Sequence, residues 1–359
     1  MTDQPYPGPG PVQPPGGPAP VPAYGPPYVP AYAPAPRRDM TFPHPEPTPY
    51  HLMLRTWTYS WWKPVVGVVA AVAGFFIGAP LVYFAVAALS ALAQPGAFGE
   101  HFRANADPTN VTPWSLLATN LGLASLIGTT WLLIRVIHRM RPRWLASVVP
   151  RLRWRFLLLC LPIALFALGA QVAVGSLVPS ASGDELGSLN HFTTSTALSA
   201  VVVLLTTPLQ AAGEEYLFRG YLLMAFGSLF GNKWVAILAT ATLFAIAHGT
   251  QNFPLFFDRL AFGLIAAWLV TRTGGIEAGI ALHVLNNFLA FGLALAFGDL
   301  TSTLNVSAVG WWNIVLTLTQ SVVYTGLVLL LARRMGLATR TRPPGYGQRS
   351  SRGPAAATA

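Results

Sequence analysis

The sequence predicts an all-α fold, a polytopic membrane helical bundle with about eight transmembrane helices. Three observations carry that expectation. Only 9% of the 359 residues are charged and 53% are hydrophobic, whereas a soluble domain carries about 25% charge. The apolar residues come in runs long enough to cross a hydrocarbon core of about 30 Å, which takes roughly 20 helical residues. The basic residues lie in clusters beside those runs, as they do in proteins oriented by a membrane. The net charge of +10 is therefore read as an orientation signal, with membrane lipid and not nucleic acid as the partner.

Residues 1–55 form the first segment, a Pro-rich tail in which eighteen of the first fifty residues are proline. Proline cannot sit in a helix interior or donate to a strand ladder, so this tail is expected to be disordered. It would serve as a tether or as a ligand for a Pro-recognising partner. No cleavable signal peptide is expected, because the first apolar run begins only near residue 65. A transmembrane domain is expected over 56–337, with runs at 65–93, 115–137, 156–178, 196–218, 234–249, 256–272, 277–297 and 312–332. The end of the fourth run is open: Pro208 would break it, or helix would continue past Arg219 to about 230. Residues 338–359 read as a disordered basic C-terminal tail.

Arginines fix the expected orientation. Arg37, Arg38, Arg55 and Lys63 precede the first run, Arg139 to Arg155 separate the second and third, and Arg333 to Arg352 follow the last. The 179–195 loop holds Asp184 and Glu185 without Lys or Arg. The positive-inside rule then puts both termini in the cytoplasm, which requires an even number of spans. An integral membrane protein is expected. The single cysteine, Cys160, sits in an apolar run and excludes an intrachain disulfide or a Cys-based metal motif.

Polar groups inside a bilayer are costly, and those that persist usually face the bundle interior. Here they concentrate in the second half: Glu214, Glu215, Arg219, His248, Asp258, Arg259, Glu277, His283, Asn286 and Asn287. Glu215 and Arg219 are four apart and form an acid–base pair on one helix face. Glu214 is rotated by about 100° from Glu215 and is left without an intrahelical partner. His283 and Asn287 also share a face, and His248 supplies a second imidazole from a third helix. Glutamate can take a proton from water, histidine can share that task or bind Zn²⁺, and an amide can donate to an oxyanion. Taken singly, each of these groups also fits a structural reading as an ion pair, a packed histidine or interhelical polar glue.

The order EExxxR, FxxxH, HxxxN resembles the CPBP family of CAAX prenyl proteases and Abi-type membrane proteins. It occurs here as "EEYLFR", "FAIAH" and "HVLNN", over roughly 196–297. The resemblance implies an intramembrane endopeptidase that cleaves a membrane-associated or lipidated peptide or protein. It implies that Glu214 and His248 activate the attacking water, that Glu215 and Arg219 hold the motif's geometry, and that His283 and Asn287 stabilise the oxyanion. His248 and His283 with Glu214 would alternatively hold Zn²⁺, and a metal-free mechanism is equally open. A non-proteolytic scaffold, immunity or regulatory protein of the same family is the alternative. A proton-relaying transporter is a third reading, disfavoured by the lack of internal repeats.

Depth leaves one discrepancy. By helical rise Glu214 lies about 28 Å and His248 roughly 22 Å from Lys233, whereas His283 is only about 12 Å past Gly275. The three can meet only if the 273–276 turn is recessed or the helix boundaries differ.

Overall fold

The computed structural model describes residues 42–177 and 188–343, and among them it is helical without a β-strand. Among the described residues seven helices are long and apolar enough to cross a membrane: α1 (Trp62–Leu92), α3 (Pro113–Val136), α4 (Trp154–Gly175), α5 (Thr194–Phe230), α7 (Phe253–Thr273), α8 (Glu277–Phe297) and α10 (Asn313–Arg334). Three shorter helices join them: α2 (Phe98–Ala106), α6 (Lys233–Ile246) and α9 (Leu300–Leu304).

The eighth expected span is α6, and at 14 residues it extends only about 21 Å. The cause is its neighbour. Helix α5 runs 37 residues, through Pro208 and a π-helical stretch at Tyr216–Leu222, to Phe230. Gly231 then closes it in the left-handed region at φ 68°, and Asn232 caps α6 through its side chain. The even span count behind the expected orientation therefore depends on a helix too short to cross by itself.

The packing follows from small residues at the contacts. Helix α5 lies between α3 and α8, α6 lies on α7, and α4 lies against α8 and α10. Gly213, beside the glutamate pair, packs so close to the Leu123 backbone that a Cβ there would collide with it. Large apolar side chains such as Phe76, Leu132, Leu165 and Val322 point outward and are exposed, as a lipid-facing surface requires.

Two segments expected in the tails belong to the folded body. Between its prolines, residues 42–55 carry enough apolar surface to dock: Tyr50, Met53 and Leu54 are fully buried. The Tyr50 hydroxyl donates to the Leu145 carbonyl. At the other end Thr341 is buried and exchanges hydrogen bonds with Thr48 at 2.9 and 3.0 Å. The Pro-rich stretch 1–41, Asp184 and Glu185, and residues 344–359 lie outside the described residues.

The depth discrepancy has a structural answer. The α7–α8 turn is covered by the 140–153 loop. Val148 N–H donates to Gly274 O at 2.8 Å and Ile276 N–H to Ala146 O at 3.0 Å. Arg153 grips Glu277 through Nε to Oε1 at 2.8 Å and Nη2 to Oε2 at 2.6 Å, and Glu277 is fully buried. The turn is buried beneath this loop, and in the fold His283 Nε2 comes within 3.7 Å of Glu214.

Candidate active site

Helix α5 supplies the first row of polar groups. Gln210, Glu214 and Glu215 lie on its regular part, and Arg219 lies in the π-helical stretch. Arg219 Nη1 donates to Glu215 Oε1 at 2.9 Å. Both residues are fully buried, so this ion pair is out of water. The guanidinium also sits 4.0 Å over the Phe244 ring and 5.1 Å from that of Phe262. Aromatic faces stabilise a cation that has lost its hydration.

Glu215 has a second partner. His283 Nδ1 lies 3.0 Å from the same Oε1, so the carboxylate links Arg219 on α5 to His283 on α8. A hydrogen-bonded Nδ1 fixes which imidazole nitrogen remains for other work. That nitrogen, Nε2, lies 3.7 Å from Glu214 Oε2. The rings of Phe244 and Phe262 meet His283 edge to face, with centroids 6.0 and 5.2 Å away. Gly279, one turn before His283, leaves space for Glu215: a Cβ there would overlap the Glu215 carboxylate.

Glu214 is not without an intrahelical partner, contrary to expectation. Gln210 Nε2 donates to its Oε1 at 2.7 Å, and Asn287 Nδ2 donates to Gln210 Oε1 at 2.8 Å. A chain of amides thus holds one oxygen of Glu214 and leaves the other toward His283. The adjacent Asn286 takes a different partner, accepting from Gln320 on α10, and both asparagines border one cavity.

A cavity of about 420 Å³ adjoins this network, and Glu214, His248, Arg259, His283 and Asn287 line it. His248 follows the end of α6. Its Nδ1 engages the Phe244 carbonyl at 2.8 Å, and its ring stacks edge-on against Phe244. The structure thus brings Glu214, His248, His283 and Asn287 to one cavity and keeps Glu215 and Arg219 behind them. For a metal the arrangement fits poorly. Among the described residues no three His, Cys, Asp or Glu side chains are grouped to hold one.

Residues 195–289 match the family of type II CAAX prenyl endopeptidase Rce1-like proteins. Over that stretch the chain is similar to the Rce1-like family. The matched stretch runs from the start of α5 to just past Asn287 and contains all six expected site residues. The uncharacterized protein YyaK of Bacillus subtilis (strain 168) is 27% identical over 214 residues, covering 56% of this chain and 71% of YyaK. No solved structure matches the chain.

Within the matched stretch, sequence reasoning missed Gln210 and Gly279 and gave Arg259 no role. Gln210 had an available signal, since it stands four residues before Glu214 and shares its face. Gly279 stands four before His283 in the same way. Arg259 was noted as a charge, and only the packing of α7 brings it to the cavity.

Proposed function

We propose that the protein is an intramembrane endopeptidase that hydrolyses a peptide bond of a membrane-associated or lipidated substrate. The observation that carries this is Glu214: a carboxylate with one oxygen held by Gln210 and the other beside His283, at a cavity large enough for a few residues of extended chain. Glu214 takes a proton from a water in the cavity, with His248, just past the end of α6, holding that water. The resulting hydroxide attacks the scissile carbonyl carbon. The oxyanion is stabilised by the free N–H of Asn287 and by the Nε2–H of a doubly protonated His283, whose Nδ1–H is given to Glu215 and which Glu215 and Arg219 hold in orientation. Glu214 then passes its proton to the leaving amine as the C–N bond breaks. No step needs a metal. The arginine-rich ends of the helices would face the cytoplasm of a bacterial cell.

Glu214→Gln tests this reading, because the amide can still pair with Gln210 and its volume is unchanged. The purified protein in vesicles is assayed against a panel of prenylated and unmodified membrane-tethered peptides. Loss of a general base lowers rate by about 10²–10⁴-fold, with thermal stability near that of the wild type. Equal cleavage by wild type and variant would remove Glu214 from the chemistry. No cleavage of any peptide by the wild type would favour a scaffold.

A further inference from the structure

The arginine-rich end of α7 carries a second cavity that the proteolytic reading does not use. It measures about 360 Å³, and Thr271, Arg272, Arg333 and Thr339 line it. Arg272 and Arg333 stand in the last turns of α7 and α10. Neither guanidinium is ion-paired to a carboxylate among the described residues. Two unneutralised arginines in one cavity suit an anion with several acceptor oxygens.

An apolar groove adjoins this cavity. Trp234, Ile237 and Leu238 of α6 face Leu264, Ile265 and Trp268 of α7 across a space of about 500 Å³. Arg272 joins the two, since its Cζ lies 5.8 Å from the centre of the Trp268 ring. On the other wall, Lys233 Nζ lies 5.0 Å from the Trp234 ring centre. From groove to cavity the order is aliphatic, indole, cation. That is the order of polarity along a lipid from acyl chain through interface to headgroup. A free phosphate would explain the arginines and leave the groove unexplained.

We propose that this end of α7 binds one anionic glycerophospholipid, with its phosphodiester between Arg272 and Arg333 and one acyl chain along the groove between Trp234 and Trp268. The short α6 forms one wall of that groove, so the lipid completes a face that the helix alone is too short to cover.

The test uses the full chain, delipidated in detergent and reconstituted in nanodiscs of phosphatidylcholine, with phosphatidylglycerol titrated in. Bound lipid is read by native mass spectrometry and stability by thermal unfolding. Wild type should retain phosphatidylglycerol in preference to phosphatidylcholine and unfold at a higher temperature when it is present. Each basic group near an anionic headgroup is worth on the order of fivefold in affinity, so Arg272→Gln with Arg333→Gln should weaken retention roughly 30-fold. Both side chains are exposed, and the variant should unfold like the wild type in phosphatidylcholine alone. Trp268→Ala should shorten retention without removing the preference for anionic lipid. Inorganic phosphate should not reproduce the thermal shift. Equal weakening by the exposed pair Arg141→Gln with Arg143→Gln would show non-specific attraction and overturn the site, as would equal retention of the two lipids by the wild type.

Discussion

Arg219→Met isolates what the buried ion pair does. Methionine keeps much of the side chain's apolar volume and removes the charge. Glu215, fully buried, then keeps only His283 as a partner on its Oε1. Removing one member of a buried pair costs about 3–5 kcal/mol, because the other charge stays desolvated. A membrane domain with a typical stability of about 5–15 kcal/mol would lose a large share of it. The cation's contact with Phe244 is lost as well, for which about 2 kcal/mol is the scale in a desolvated setting. The decisive comparison is the double variant Arg219→Met with Glu215→Gln, which leaves no uncompensated carboxylate. It should recover at least about 2 kcal/mol relative to Arg219→Met alone, since a neutral amide is far cheaper to bury than an unpaired charge. Equilibrium unfolding in mixed detergent micelles, followed by far-ultraviolet circular dichroism, measures all four proteins of the cycle. The reasoning fails if Arg219→Met costs under about 1 kcal/mol, or if the two substitutions simply add.

Three further outcomes are expected. Gly279→Ala should displace the Glu215 carboxylate and reduce peptide cleavage, with a stability loss of about 1–3 kcal/mol from overpacking; wild-type cleavage kinetics would show that Glu215 need not stay where it is. Burial, with Lys63 adding to it, lowers the His138 pKa from 6.5 to about 4. The unfolded chain therefore binds that proton first, and its contribution to stability is full above about pH 6.5 and lost as pH falls toward 4. His44 and His51 are shifted in the same direction to about 4, chiefly by burial. His138→Gln should thus flatten part of the acid loss in a pH series of melting temperatures, and the triple substitution most of it; an unchanged slope would refute the assignment. Because the donors around Glu214 are not grouped for a metal, chelation and dialysis should leave cleavage within about twofold of its starting rate, and activity lost to the chelator and restored by Zn²⁺ would overturn that.

What could be read in the sequence was local. The Glu215–Arg219 and His283–Asn287 spacings place each pair on one face of a helix, and helix geometry needs nothing beyond the chain itself. The long apolar runs were legible for the same reason. Long-range docking was not. Nothing near residues 42–55 shows that Tyr50 will reach Leu145 or that Thr48 will pair with Thr341. Helix ends depended on tertiary context as well. Pro208 is a strong breaker in water, yet α5 continues through it, in a bundle where neighbouring helices can satisfy freed backbone groups.

The adjacent glutamates show where local reading stops. A rotation of about 100° between neighbours says that they face different directions, without saying what lies there. In the fold, Glu215 turns to a fully buried arginine and a histidine, so its charge is committed to holding α5 and α8 together. Glu214 turns to two amides in series, which orient a carboxylate without neutralising it. A carboxylate that is oriented but not ion-paired to a strong cation can still accept a proton, and one locked to arginine is a poor base. The placement of Arg219 one turn after Glu215, and of Gln210 one turn before Glu214, is thus what separates the ion-paired glutamate from the one that the proposed mechanism uses as its base. The same two residues exchanged in order would leave the cavity lined by the wrong carboxylate.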